Sequence, residues 1–82
     1  MPRFTLTSKS KPQIRGGQQE SLYEAMQALG GSAMFDEIAA MCKEYERRGK
    51  YKVKHPVTIH ASVMHHLHQW EKRDPPIVKV QY

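Results

Sequence analysis

Glycine and proline divide this chain more firmly than any other feature. Gly30-Gly31, Gly49, Pro56 and the Asp74-Pro75-Pro76 run leave three windows long enough for helices of a few turns. Glycine costs about 1 kcal/mol in a helix interior and proline about 3 kcal/mol, so no helix is expected to cross those points. Each window carries apolar residues at helical spacing. In the first, Leu22, Ala25, Met26 and Leu29 recur, and Ser21-Leu22-Tyr23-Glu24 fits a capping box, with a start one turn earlier at Gln18 as the other option. In the second, from about Phe35 to Arg48, the stripe is Phe35, Ile38, Cys42 and Tyr45. Asp36 and Glu37 suit the positive end of that helix dipole, and Arg47 and Arg48 the negative end. The third runs from Thr58, an N-cap residue, to about Arg73, where the two prolines force an extended exit.

The ends read differently. Arg3-Phe4-Thr5-Leu6-Thr7 alternates polar and apolar, and Ile77-Val78-Lys79-Val80-Gln81-Tyr82 reads as a strand. Between them, Ser8–Gly17 has linker composition without periodicity, and the Lys50–Pro56 connector is basic with weak strand-like alternation. The expected class is mostly α with a small β element (α+β). Residues 1–17 form a basic strand or arm with a flexible linker, and residues 18–82 the folded domain. Pairing of Arg3–Thr7 with Ile77–Gln81 is one expectation; an arm that orders only on phosphates is its competitor.

Charge narrows the function. The chain has 82 residues, 13 Lys+Arg and 8 Asp+Glu, for a net +5. Residues 1–20 carry +3, residues 21–48 carry −2 and residues 49–82 carry +4. Two basic ends around a near-neutral body point to a polyanionic partner, although excess Lys and Arg also serve solubility. One cysteine, Cys42, excludes an internal disulfide framework and fits a reducing compartment. No apolar run approaches the roughly 18 residues of a membrane span, and the opening residues lack the apolar stretch of a secretory signal. A cytoplasmic, nucleoid-associated or host-intracellular protein is expected.

The third helix carries the sharpest hypothesis. At about 100° per residue, Ile59, Val63, Leu67 and Trp70 cluster on one side, which is the expected core face. The other side presents Ala61, His65, His68 and Lys72, flanked by Ser62 and Gln69, with Glu71 off to one edge. Small and polar side chains early in such a helix permit close approach to base edges in a major groove. Thr58, Ala61, Ser62, His65 and Gln69 are the expected base contacts. Arg15, Lys50, Lys52, Lys54, His68 and Lys72 are the expected phosphate contacts. An ordinary solvated amphipathic helix would show a similar pattern.

Metal and catalytic chemistry find little support. His55, His60, His65, His66 and His68 are close in sequence, but only His65 and His68 have a useful helical spacing for ligation, and two ligands make a poor zinc site. Cys42 sits on the apolar stripe as a small hydrophobe, and His66 falls near the core boundary. No nucleophile–base arrangement or phosphate-loop pattern can be ordered from the chain, so neither an enzyme, a cofactor nor a small-molecule substrate is expected.

The order of three helices and a strand, with Ser32-Ala33-Met34 between the first two helices, resembles the winged helix-turn-helix superfamily. The stretch FDEIAAMCKEY…GKYKVKHPVTIHASVMHHLHQWEKRDPPIVKV is more narrowly similar to the HARE-type helix-turn-helix, found attached to chromatin regulators and restriction-type nucleases. The likeness rests on Glu37-Ile38, on Pro56 before Thr58-Ile59-His60-Ala61-Ser62, and on Pro76-Ile77-Val78-Lys79-Val80, and spans residues 18–82. It implies a three-helix winged fold with a short terminal strand pair and a DNA-binding or DNA-associated role. After Val80 only Gln81 and Tyr82 remain, too little for a usual two-stranded wing.

The expected function is a small DNA-binding protein, a transcriptional regulator or DNA-associated adaptor, with helix 58–73 in the major groove of double-stranded DNA. The alternative is a winged-helix module that binds a partner protein without touching DNA. RNA binding is the third reading, with Tyr51 and Tyr82 as the available stacking rings. A monomer, or a homodimer through the first helix or the terminal strand, fits the pattern.

Overall fold

A computed structural model of the chain describes residues 2–7 and 14–82. In order come β1 (Arg3–Leu6), α1 (Gly17–Ala28), β2 (Ser32–Met34), α2 (Phe35–Arg47), α3 (Ile59–Lys72) and β3 (Val78–Gln81). The expected α+β class holds, as three helices and a three-stranded antiparallel sheet. The expected linker falls largely on residues 8–13, outside the described residues. Its last part is anchored, because Ile14 is buried in the core.

Local signals end the helices as anticipated. Gly30 and Gly31 take φ of +86° and +85°, a region that glycine enters without steric cost. The Gly31 amide then donates to the Met26 carbonyl at 2.8 Å and closes α1. At the start of α2, the Glu37 carboxylate accepts the Met34 amide at 3.0 Å. Thr58 caps α3, its hydroxyl oxygen accepting the Ala61 amide at 3.1 Å.

The capping box at Ser21 does not form. The helix begins a turn earlier, at Gly17, and the Ser21 hydroxyl donates instead to the Lys50 carbonyl at 2.5 Å. The cause is tertiary. An earlier start brings Gln18 and Gln19 onto helix α1, where both bond to α3.

The sheet has the order β2-β1-β3. β1 is therefore its centre, and residues 3–6 belong to the same body as the helices. Its register pairs Phe4 with Ala33 on one side and Val80 on the other, and Thr5 with Ser32 and Lys79. Alternation then sorts the two faces. Phe4, Ala33 and Val78 are buried, with Leu6 and Val80 packed at the margin. Arg3, Thr5, Ser32 and Lys79 occupy the other face, where Thr5 and Ser32 share a hydroxyl–hydroxyl bond of 2.9 Å. Thr7 fastens the far end: its amide and hydroxyl donate to the Ile77 carbonyl at 3.0 and 3.1 Å, and its hydroxyl reaches the Pro76 carbonyl at 2.6 Å.

The expected stripes meet in one core. Ile59, Val63, Leu67 and Trp70 of α3 are buried with Ile38 and Cys42 of α2 and Leu22 and Met26 of α1. Trp70 stands edge-on to Tyr23 at 6.3 Å between ring centroids, and its indole N–H donates to the Gln19 amide oxygen at 2.9 Å. A buried indole N–H left without such a partner would be costly, so Gln19 completes the packing rather than decorating it.

Candidate nucleic-acid interface

One side of α3 is spent on the core, and the opposite side remains open. Ala61, His65, His68, Gln69 and Lys72 are all exposed there, as the helical periodicity predicts. Arg15, Lys52 and Lys54 are also exposed. Thr58 is exposed, with its oxygen committed to the cap.

Ser62 departs from expectation. It is 6% exposed, and its hydroxyl bonds to the Tyr51 hydroxyl at 2.8 Å and donates to the Gln18 amide oxygen at 3.1 Å. A residue so enclosed cannot read a base edge. Its place on the helix, between the core stripe and the open face, is covered by α1 and the connector that joins α2 to α3. Tyr51 is likewise fully buried and cannot stack on a base. Lys50 is exposed but already engaged, 3.5 Å from the Glu24 carboxylate and 5.2 Å from the centroid of the Tyr45 ring. It leans on the body of the fold instead of standing ready for a phosphate.

Gln18 organises this region. Its amide oxygen accepts from Ser62 and, at 2.9 Å, from His66 Nε2, while its amide nitrogen donates to the Lys52 carbonyl. One α1 side chain thus ties the basic connector to α3. The sequence offered Gln18 as an alternative start of this helix but gave its side chain no role. The available signal was spacing, since Gln18 stands one turn before Leu22 on the same side of the helix.

The Gln18 bond also fixes the ring state of His66. An amide oxygen only accepts, so Nε2 carries the proton and Nδ1 is left as a bare lone pair. That Nδ1 is buried with no partner. Burial first, and the neighbouring His65 second, hold His66 below the ordinary histidine value of 6.5. Protonation would bury a second, unpaired N–H, which is why burial disfavours the charged ring. The rings of His65 and His66 meet edge-on at 5.6 Å.

Between the connector and α3 lies a groove of about 700 Å³. Val53, Val57 and Ala61 supply apolar surface, Lys52, Lys54 and His65 supply polar surface, and the Gln18–Ser62–His66 cluster completes it. Val57 is 51% exposed, one of two large apolar residues so placed among the described residues; the other is Tyr82.

His60 packs edge-on against Phe35 at 6.0 Å, away from His65 and His68 in helical angle. Among the described residues, no group of three His, Cys, Asp or Glu side chains could hold a metal ion. Cys42 is buried and its thiol is pushed up to about 12 by desolvation, the opposite of what a nucleophile or ligand requires. Among the described residues, no helix is long and apolar enough to cross a membrane. No protein-family model, curated protein or solved structure matches this chain.

Proposed function

We propose that this protein binds double-stranded DNA, with α3 entering the major groove and the connector before it lying on the phosphates. The observation that carries this reading is the open face of α3. Ala61, His65, His68, Gln69 and Lys72 form a strip without a carboxylate, flanked by the exposed Lys52 and Lys54. Ala61 permits close approach, and His65 and Gln69 have hydrogen-bonding groups suited to base edges. Lys52, Lys54, Lys72, His68 and Arg15 supply the phosphate contacts, which position a protein without reading sequence. Ser62 leaves the set of readers, and Lys50 is the weakest of the proposed phosphate ligands.

The fold supports a winged helix-turn-helix reading of this surface. A short strand, β2, separates the first two helices, and β3 follows the third. β1 lies between those two strands and pairs antiparallel with both, the place a wing strand would take in this reading. The stretch from Arg48 to Thr58 is longer than the short turn of a simple helix-turn-helix, and this length lets Tyr51 and Val53 pack while Lys52 and Lys54 face out. A transcriptional regulator or a DNA-associated adaptor both follow from such a surface.

Fluorescence anisotropy with random duplex DNA at two salt concentrations tests the proposal. The four Lys and Arg contacts, Arg15, Lys52, Lys54 and Lys72, give a slope of log affinity on log salt of about −3 to −4, or roughly a hundredfold loss between 50 and 200 mM salt. No binding at low salt would overturn it and favour a protein partner.

A further inference from the structure

We propose that the groove between the connector and α3 binds a small organic anion with an apolar body, and that this ligand competes with DNA. The first argument is its size and lining. At about 700 Å³ it lies within the range of small-molecule sites, which combine apolar walls with a few convergent polar groups. Val53, Val57 and Ala61 form such walls. Val57 is half exposed, in the same connector in which Tyr51 is fully buried. Burying that surface under a ligand removes it from water, which favours binding in proportion to the area covered.

The second argument is charge. Lys52, Lys54 and His65 line the same groove, and no Asp or Glu does. A carboxylate or sulfonate on the ligand therefore meets complementary charge, while an ammonium group meets only repulsion. Within the groove lining, Gln18 is bonded to the Lys52 carbonyl, Ser62 and His66. This holds the connector against α3 before any ligand arrives, and a preformed site spares the ligand the cost of ordering it.

The coupling to DNA follows from shared residues. Ala61 and His65 belong both to the groove and to the open face of α3, and Lys52 and Lys54 belong both to the groove and to the proposed phosphate contacts. An anion seated there removes two cations and two reading positions from the DNA surface. The binding itself does not depend on the DNA reading; only the competition rests on it.

The test uses the full chain and three probes of one shape: 1-naphthoate, neutral 1-naphthylmethanol and cationic 1-naphthylmethylamine. Binding is followed by NMR through the methyl groups of Val53, Val57 and Ala61. The expected result is saturable binding of naphthoate at about millimolar concentration, the range that a ligand of this size reaches, with weaker binding of the alcohol and none of the amine. Ala61→Phe, which fills the groove from an exposed position, should abolish these shifts. Lys52→Glu with Lys54→Glu should weaken naphthoate by about tenfold or more without weakening the alcohol. Absence of saturable shifts with all three probes, or equal binding of amine and naphthoate, overturns the proposal. Naphthoate should also displace duplex DNA in the anisotropy assay. Naphthoate binding without any DNA binding would leave this site standing and remove the DNA reading. DNA binding without naphthoate binding would do the reverse.

Discussion

The two sides of α3 are built from the same fourteen-residue helix and behave as different materials. On the inner side, Val63, Leu67 and Trp70 are at most 1% exposed, and Ser62 and His66 bond to Gln18 of α1. On the outer side, Ala61, His65, His68 and Lys72 are exposed. The inner side determines where the helix sits; the outer side is left to meet something else. The difference teaches that the line between them is not where helical angle alone would draw it. Ser62 lies on the boundary by angle and is buried by its neighbours on α1 and the connector. Substitutions on the inner side should therefore move stability, and those on the outer side should move binding.

The largest expected effect comes from the strand beneath this division. Removing residues 1–7 deletes β1, leaves β2 and β3 without their common partner and empties the Phe4 position. The chain should lose its cooperative thermal transition, monitored by circular dichroism; an unchanged melting temperature would mean that β1 is dispensable.

Next in size is Trp70→Ala. A buried Trp-to-Ala change costs about 3–5 kcal/mol, and here it also strands Gln19. That is a large part of the stability of a domain this small, about 4–12 kcal/mol at roughly 0.05–0.15 kcal/mol per residue. Urea denaturation should show the unfolding free energy reduced by about that amount. A loss below about 1 kcal/mol would show that α3 is not seated as described.

Ser62→Ala breaks or sharpens the comparison most directly. If Ser62 is an inner residue, losing its hydroxyl leaves the buried Tyr51 hydroxyl unpaired and costs about 1–3 kcal/mol, while DNA sequence preference stays the same. A change of preference with unaltered stability would return Ser62 to the outer side. Lys52→Ala with Lys54→Ala should do the converse: stability within about 0.5 kcal/mol of the parent, and a salt slope reduced by about 2.

The smallest effect is on pH. His66 is held below its ordinary value when folded, so the unfolded chain takes up this proton more readily. Stability should fall as pH drops through the ordinary histidine value of 6.5 and level off below the folded one. Denaturation at pH 5 and pH 7.5 should show the loss, and His66→Gln should reduce it. If the loss persists unchanged in that variant, another group is responsible.

Much of this was legible in the order of residues. Glycine and proline punctuation bounded the helices to within a few residues, and a 3.6-residue period selected Ile59, Val63, Leu67 and Trp70 for the core. The alternation of Arg3–Thr7 announced a strand, and Thr58 announced a cap. The misreadings share one cause. Ser21 matched a local capping pattern, Ser62 sat at an ambiguous angle, and Tyr51 lay in a basic connector that read as surface. In each case the deciding partner lies on another element: Lys50 for Ser21, Gln18 and Tyr51 for Ser62, and Ser62 of α3 for Tyr51 itself.

The sequence by itself determined the three helices with their inner faces, the two terminal strands and the basic surplus, because propensity, periodicity and charge act over one or two turns; it did not mark Ser32–Met34 as a strand. Only the tertiary structure decided that β1 is the centre of the sheet, that Ser62 and Tyr51 are interior, and that Lys50 is paired while Lys52 and Lys54 line a groove. These outcomes depend on which segments meet across the fold. A buried hydroxyl or amide takes whichever partner the packing brings within reach, and a local pattern carries no record of that choice.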